Sequence, residues 1–383
     1  MKIGIDRINF FTSNQYVDMS ELANVRNVDP NKYLIGIGQS KMAVIPPTQD
    51  VVTMGANAAD VLIDNENRDK IDFVIFATES GIDNSKSTGA YVSGLLGLKH
   101  VRSIEIKQAC YGATAAIQLA KGHVSLNPNS QVLVIGADIA RYGLNTAGEP
   151  TQGGGAVAMI ITKNPKILSL DADSGFVTEN VMDFWRPLNH SEALVDGKTS
   201  QNVYLDFFNQ TWNEYKNKTG LTVADFKAML YHLPYTKLGV KGLREVLNEA
   251  TDSKKIELER EFEAAKKYNN QVGNLYTGSL YLSFISLLEN SNDLEAGDRI
   301  GMYSYGSGAV GEFFSGTLTD NFKSQLPKIN LEERVQVSIE LYENMYQNHL
   351  KNDGADIYLD YSNDKSKYIL IGSKNMQRQY SIQ

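Results

Sequence analysis

Short apolar runs alternate along the chain with longer segments whose apolar residues recur at helical spacing. The runs at 72–78 and 131–137 lack polar alternation, which is typical of strands covered on both faces. Between 48 and 63, apolar residues keep helical spacing after a pair of prolines, and Thr48 is the predicted N-cap. This alternation of strand and helix predicts an α/β fold.

The second part of the chain repeats the order of the first. In each part a predicted helix leads to a strand, a Gly-rich turn and a further strand, so we predict two related α/β halves, 1–166 and 167–383. The strands at 156–161 and 167–170 are predicted to form a closing pair where the halves meet. The second half has predicted strands at 226–231, 299–305 and 310–318 and a predicted apolar helix at 274–288.

Three further segments complete the prediction for the second half. The aromatic-rich stretch 177–220 is predicted to be an insertion, and the charged stretch 240–268 predicts surface helices over a core. The tail is predicted to be helical up to Leu350 and strand-like at 368–371.

Composition and charge narrow the class of protein. The chain has 383 residues, 42% of them hydrophobic, and a net charge of −8, which argues against a general nucleic-acid or anionic-membrane binder. The charged N-terminal residues do not resemble a signal peptide. Because no run approaches the roughly 18 apolar residues of a membrane helix, we expect a soluble, cytoplasmic protein.

Cys110 is the only cysteine, so it cannot form an intrachain disulfide, and with scattered histidines it cannot build a zinc site. Most lone cysteines are inert, buried residues. This one follows an alternating, strand-like stretch at 103–107 and precedes a helix of small residues. A helix N-terminus lowers the pKa of a thiol, so we predict that Cys110 is a nucleophile with a lowered pKa.

Two polar residues follow predicted strands at equivalent places in the two halves. Glu79 follows the first-half strand and could act as a general base near an apolar pocket, although a solvated loop carboxylate is the simpler alternative. His232 follows a second-half strand, and its alternative is a core histidine. Lys237 and Lys241 could bind phosphates or lie at a solvated helix start, and Asn274 could donate into the cleft or cap a helix.

Seven segments, in chain order, resemble bacterial 3-hydroxy-3-methylglutaryl-CoA (HMG-CoA) synthases. The resemblance extends from Ile3 to about Leu318 and is weaker in the tail. The segments are Gln108–Thr114, Ala140–Asn145, Gly148–Gly153, Asp183–Pro187, His232–Lys237, Gly273–Tyr281 and Tyr303–Gly308.

The resemblance implies a thiolase-like fold, in which two repeated halves have mixed sheets between helices. It also implies condensation of acetyl-CoA with acetoacetyl-CoA in the mevalonate pathway, in a homodimer without cofactor or metal. Cys110 would carry the acetyl group, Glu79 would remove a methyl proton, and His232 would bind and polarise acetoacetyl-CoA. The substrate-binding residues implied are Asn274, Ser307, Tyr142, Thr151 and Ser200 around the acyl groups, and Lys237, Lys241 and Asp29 at CoA.

Departures from the family pattern and two alternative functions remain. Gln108 stands where Glu is expected, Leu188 and Asn189 replace Thr and Gly, and Gly154 replaces alanine; these changes would affect rate or CoA affinity. A decarboxylating ketoacyl-carrier-protein synthase also uses Cys, His and Asn, but it needs no base. A non-catalytic binding relative would be expected to lose the cysteine or the base.

Overall fold

The computed structural model describes residues 1–349 and 355–383. These described residues contain nine α-helices and seventeen β-strands. The helices are α1 (Met19–Val25), α2 (Val51–Asp60), α3 (Thr88–Leu95), α4 (Gly112–Leu126), α5 (Gly197–Thr219), α6 (Thr236–Leu247), α7 (Asp252–Val272), α8 (Ser279–Asn290) and α9 (Ile339–Asn348). The strands are β1 (Ile3–Phe11), β2 (Gln15–Asp18), β3 (Lys41–Ala43), β4 (Ile71–Ala77), β5 (Arg102–Ile106), β6 (Gln131–Ala140), β7 (Gly153–Lys163), β8 (Leu168–Thr178), β9 (Phe184–Trp185), β10 (Leu194–Val195), β11 (Ala228–Tyr231), β12 (Arg299–Gly306), β13 (Val310–Leu318), β14 (Val335–Gln336), β15 (Ile357–Tyr358), β16 (Tyr368–Lys374) and β17 (Gln377–Ile382).

Nine of these strands form one mixed sheet in the order β11-β12-β13-β8-β1-β7-β6-β4-β5. β4 runs parallel to β5 and β6, and β11 runs parallel to β12. Successive side chains of β4 enter different cores: Val74 and Phe76 pack with α2 and α3, and Ile75 and Ala77 pack with α4 and α8. Helices thus cover both faces of the sheet, which confirms the predicted α/β class.

The position of β1 corrects one prediction. β7 and β8 contain the two strands that were predicted to pair, but β1 lies between them. β1 pairs with β7 along its length and with β8 only through Ile3, Gly4 and Ile5. The N-terminal segment therefore joins the strands of the two halves, a long-range pairing that local pattern does not encode. The predicted boundary at residues 166 and 167 falls between β7 and β8 and stays a prediction.

Two helix starts also differ from the prediction. α2 begins after Asp50, whose carboxylate accepts a hydrogen bond from Thr53 N while the Thr53 hydroxyl accepts one from Asp50 N. The Thr48 hydroxyl instead donates to the carboxylate of the tail residue Asp364, at 2.6 Å, so Thr48 does not cap the helix. α8 begins at Ser279, and Asn274 lies in the loop before it. A competing side-chain partner thus moves the start of α2, and a 3-10 turn at Tyr276–Gly278 precedes α8.

The remaining elements follow the pattern. Strands and surface helices occupy the predicted stretches of the second half, and the stretch 177–220 contains the β9–β10 pair and α5, whose aromatic residues share a core with β11–β13. In the tail, α9 ends at Asn348, and β16 includes the predicted strand at 368–371. The predicted helix end, Leu350, lies outside the described residues.

The tail hairpin is anchored on α2 by a buried carboxylate. Asp50, the N-cap of that helix, is fully buried and accepts hydrogen bonds from Arg378 Nη1 at 2.5 Å and from the Tyr380 hydroxyl at 2.9 Å. Because Arg378→Ala leaves this charge without its cation, we expect it to lower the free energy of unfolding by about 3–5 kcal/mol in urea denaturation. The exposed pair of Arg102 with Asp72 offers a matched control, and Arg102→Ala should cost no more than about 1 kcal/mol. Equal losses in the two variants would contradict the anchoring role.

Candidate active site

Cys110 lies in the tight turn between β5 and α4. The turn is closed by a hydrogen bond from Tyr111 N to Gln108 O at 3.1 Å, and α4 begins at Gly112. Ala109 has a φ of 44°, which lies in the left-handed region and is unusual for a residue with a Cβ. The half-buried Cys110 therefore sits at a strand-to-helix junction, as the pattern predicts.

Glu79 is in contact with this thiol. β4 and β5 are parallel neighbours, so the residues that follow them emerge at the same edge of the sheet. Cys110 Sγ donates to Glu79 Oε1 at 3.7 Å, within the range for a sulfur hydrogen bond. The parallel strands thus bring a thiol and a carboxylate together at one edge of the sheet.

Burial shifts both groups toward their protonated forms. Loss of solvent, followed by the charge of Asp138, raises the pKa of Glu79 to about 8, while the Arg186 guanidinium works in the opposite direction. Burial and the carboxylates of Glu79 and Asp138 raise the pKa of Cys110 well above its usual value. The prediction of a lowered thiol pKa is therefore wrong, because burial and nearby negative charge outweigh the helix N-terminus.

Asp138, near the end of β6, organises the loop that carries Glu79. Its carboxylate is fully buried, and burial raises its pKa. It fixes the main chain at Glu79 and connects this loop to Thr277 of the second half. The donors to it are Thr78 Oγ1 at 2.9 Å, Glu79 N at 2.8 Å, Ser80 Oγ at 2.8 Å, Thr277 N at 3.1 Å and Thr277 Oγ1 at 2.6 Å. Sequence reasoning missed this residue, although a carboxylate inside an apolar strand is a usable signal.

Three of the predicted acyl-site residues lie together. Asn274 Nδ2 donates to the Tyr142 hydroxyl at 3.2 Å, and Asn274 N donates to Thr151 O at 3.0 Å. The side-chain oxygen of Asn274, Oδ1, accepts from Tyr276 N and Ser279 Oγ, which fixes the orientation of the side-chain amide. An amide group of fixed orientation beside a phenol is suited to hydrogen-bonding a carbonyl substrate.

His232 lies directly beyond β11 and is 2% exposed. Its main chain donates from N to Tyr303 O at 2.8 Å and accepts from the Tyr204 hydroxyl at 3.0 Å. Burial lowers the pKa of His232 to about 3, so the imidazole is neutral near pH 7. A neutral ring can donate one hydrogen bond to a substrate carbonyl without carrying charge.

The second half reaches the Cys110 turn at the end of β12. A Cβ at Gly306 would lie 2.5 Å from Gln108 O, so only glycine permits this close approach. The next residue, Ser307, accepts from Gln108 Nε2 through its main-chain oxygen at 3.4 Å. The strand-end turn of the second half is therefore packed directly against the turn that carries Cys110.

Asp183 connects another predicted residue, Ser200, to the turn after β12. This fully buried carboxylate accepts from Ser200 Oγ at 3.0 Å, from the Tyr305 hydroxyl at 2.7 Å and from Gly308 N at 2.9 Å. Sequence reasoning placed Asp183 in a motif but assigned it no task. Its contacts tie the start of α5 to the turn after β12.

Lys237 and Lys241 lie one turn apart on α6, so they share a face of that helix. Lys241 Nζ bonds to the side chain of Gln201. Asp29 is exposed, and its carboxylate accepts from Asn31 N at 2.9 Å just before a short π-helix at Lys32–Ile37. Gly38, which follows this π-helix, accepts a hydrogen bond from the Thr236 hydroxyl at the start of α6. The segment that contains Asp29 therefore neighbours the helix that carries the two lysines.

A cleft of about 1160 Å³ opens beside Glu79, the one predicted site residue that lines it. Leu188 and Asn189, which depart from the family pattern, lie on its wall. Of the other two departures, Gln108 contacts Ser307, and Gly154 has a packing reason, because a Cβ there would lie 2.7 Å from Ile45 Cγ1. Leu188 and Asn189 therefore share the cleft with Glu79, and Gly154 serves the packing around Ile45.

Neither a metal cluster nor a spanning helix was found in residues 1–349 and 355–383. No group of three or more His, Cys, Asp or Glu side chains in this part of the chain could hold a metal ion. No helix there is long and apolar enough to cross a membrane.

Known proteins resemble this chain over its whole length. The family model for the hydroxymethylglutaryl-coenzyme A synthase N terminal matches residues 1–166, and that for the C terminal matches 170–266 and 244–367. The chain is 48% identical to hydroxymethylglutaryl-CoA synthase of Enterococcus faecalis, with 99% of this chain and 100% of that protein covered. It is 34% identical to the polyketide biosynthesis 3-hydroxy-3-methylglutaryl-ACP synthase PksG of Bacillus subtilis, over 90% of this chain and 88% of that one.

Solved structures also superpose on this chain over its full length. An HMG-CoA synthase complexed with CoA superposes with a TM-score of 0.97 at 41% identity, and all of both chains is covered. MvaS in complex with 3-hydroxy-3-methylglutaryl coenzyme A superposes with a TM-score of 0.89 at 34% identity, covering 100% of this chain and 99% of that one.

Proposed function

The chain belongs to the hydroxymethylglutaryl-CoA synthase family and condenses acetyl-CoA with acetoacetyl-CoA and water, and we propose that this reaction proceeds through an acetyl group on Cys110. The observation that carries the proposal is the contact of the only thiol with Glu79 at 3.7 Å. The condensation is a step of the mevalonate pathway and yields HMG-CoA and CoA.

The first step forms the acetyl-enzyme. Cys110 Sγ attacks the acetyl carbonyl, the thioester bond to CoA breaks, and the thiol proton goes to the departing CoA sulfur. Because burial holds the free thiol protonated, a stable thiolate does not form before substrate arrives. This also explains how a half-buried cysteine can avoid side reactions between turnovers.

The second step forms the carbon–carbon bond. Glu79 removes a proton from the acetyl methyl, and the resulting enolate carbon attacks the ketone of acetoacetyl-CoA. The ketone oxygen becomes an alkoxide and takes the proton back from Glu79. Neutral His232 donates a hydrogen bond to acetoacetyl-CoA and polarises it. Water then cleaves the thioester to Cys110, which releases HMG-CoA and restores the thiol.

The remaining predicted residues bind substrate in this proposal. The acyl groups bind beside Asn274 and its hydrogen-bonding partners and beside the turn after β12. The phosphates of CoA bind the lysines of α6. The acyl-site residues are Tyr142, Thr151, Ser200, Asn274 and Ser307, and the CoA residues are Asp29, Lys237 and Lys241.

The contact of Glu79 with Cys110 also bears on the alternative reaction. A decarboxylating condensation generates its carbanion by loss of CO₂ and needs no base. A carboxylate with a pKa of about 8 beside the nucleophile is suited to abstraction of a carbon-bound proton. The proton-abstracting reaction is therefore the one that this pair of residues favours.

We further propose that the protein works as a homodimer in the cytoplasm, without a bound cofactor, and that its halves divide at residues 166 and 167. Support for a dimer comes from β5, the last strand of the sheet, whose outer edge is free for pairing in the described chain. Ile104 on β5 and Leu188 on the wall of the adjacent cleft are exposed apolar residues that a second copy would cover.

A two-substrate assay tests the function. Acetyl-CoA and acetoacetyl-CoA are mixed with the protein, and CoA release is followed together with loss of the acetoacetyl enolate absorbance. We expect both signals only when both substrates are present, in equal molar amounts. Acetoacetyl-CoA consumption without acetyl-CoA would contradict the condensation. So would sustained CoA release, beyond the one equivalent per chain from acetylation of Cys110, without consumption of acetoacetyl-CoA.

A further inference from the structure

The turn that carries Cys110 needs support from outside itself. Ala109 occupies the left-handed region with a φ of 44°, a conformation that persists only where surrounding contacts hold it. Gly306 packs against the main chain of this turn, and a Cβ there would lie 2.7 Å from Tyr111 N. These contacts restrict the main chain of the turn. They do not fix the hydroxyl of Tyr111, the residue next to the cysteine.

Glu312 on β13 fixes that side chain. Its carboxylate is 3% exposed and accepts two hydrogen bonds from the first half of the chain. Oε2 accepts from the Tyr111 hydroxyl at 2.6 Å, and Oε1 accepts from Gln118 Nε2 at 2.6 Å. Tyr111 precedes α4 and Gln118 lies two turns along it, so the carboxylate spans the start of the helix.

A buried carboxylate is a costly way to hold a helix. In the part of the chain that the structure describes, no cation lies within salt-bridge distance of Glu312. The Lys121 ammonium attracts its charge at longer range, and the two hydrogen bonds are its direct stabilising contacts. A neutral residue would pack against α4 at lower cost. What the carboxylate adds is a short, charge-assisted hydrogen bond to the residue beside the nucleophile.

We propose that Glu312 is a positioning residue, which holds the Tyr111 hydroxyl and thereby keeps Cys110 Sγ in line with Glu79. The proposal rests on the proposed function, in which this sulfur is the nucleophile. The geometry separates it from simple helix anchoring, since Tyr111 and Gln118 use different oxygens of the carboxylate. Loss of the Tyr111 contact should therefore affect the thiol, and loss of the Gln118 contact should not.

The test uses Glu312→Gln and Tyr111→Phe, with Gln118→Met as the matched control. Because Cys110 is the only thiol, its rate of alkylation by iodoacetamide reports on this one site at each pH. Alongside it we measure single-turnover acetylation by acetyl-CoA, kcat, KM and the melting temperature. A small displacement of a reacting group costs up to about 100-fold in rate, so a 10- to 100-fold loss in acetylation is the expected size.

We expect Glu312→Gln and Tyr111→Phe to slow acetylation with little change in KM and to shift the pH profile of alkylation in the same way. The double variant should be no slower than the slower single variant, because both remove one interaction. Gln118→Met should keep the wild-type profile. If Gln118→Met shifts the profile as much as Tyr111→Phe, or if Tyr111→Phe leaves it unchanged in a folded protein, the positioning role is wrong.

Failure of the proposed function would look different. If Cys110→Ala still carried an acetyl label, the nucleophile assignment would be wrong, while the alkylation profiles would still decide whether Glu312 sets the thiol's environment. Should Glu312→Gln fail to fold, Tyr111→Phe removes the same hydrogen bond while keeping the carboxylate, and it decides the question alone.

Discussion

Cys110→Ala is expected to abolish condensation and covalent labelling together. With radiolabelled acetyl-CoA, the wild-type protein should carry one acetyl group per chain and the variant none. The sulfur is the atom that forms the acyl-enzyme, and the chain has no second thiol to replace it. Loss of the nucleophile should lower kcat by on the order of 10⁴-fold or more.

The control for this variant is folding, measured by the melting temperature. Removing one half-buried thiol should change stability little compared with the loss of activity. An acetyl label that survives in Cys110→Ala would show that another residue carries the acyl group, and the mechanism above would have to be abandoned.

Glu79→Gln is expected to separate the two chemical steps. The variant should still become acetylated at Cys110, because the nucleophile is intact, but condensation should fall by about 10²–10⁴-fold, the usual contribution of a general base. Rapid quenching with labelled acetyl-CoA measures the first step, and the two-substrate assay measures the second. Normal condensation in this variant would remove Glu79 from the mechanism.

The dependence on pH gives a second signature of Glu79. Only its ionised form can accept a proton, and its pKa is raised to about 8, so the condensation rate should rise as the pH increases through 8. Glu79→Gln should lose that rise. The same shift acts on stability, since a raised pKa in the folded protein means that ionisation of Glu79 disfavours folding. Above pH 8 the variant should therefore melt at a higher temperature than the wild type.

Local pattern was sufficient for the elements that carry the chemistry. The unbroken apolar run of β4 and the small residues of α4 predict where each element lies, and parallel neighbours bring Glu79 and Cys110 to one edge. Both residues were identified from their position at the end of a strand or the start of a helix, which depends only on nearby sequence.

The features that were missed or wrong depend on distant residues. The pKa of Cys110 is raised because Glu79 and Asp138 come close in the fold and solvent is excluded. The cap of α2 is Asp50, because the tail takes the hydroxyl of Thr48. In each case the nearby sequence allowed two outcomes, a lowered or a raised thiol pKa and Thr48 or Asp50 as the cap. A contact with a residue distant in sequence decided between them.

The position of β1 has a consequence for biosynthesis. β1 is an interior strand of the sheet, and it is translated well before its partners, which begin at Gly153 and Leu168. Until those partners have been translated, both edges of β1 are open, and the two halves cannot join through it. Chaperone demand should thus be greatest before β8 has been translated, since such long-range pairing is slow and leaves strand edges open to aggregation.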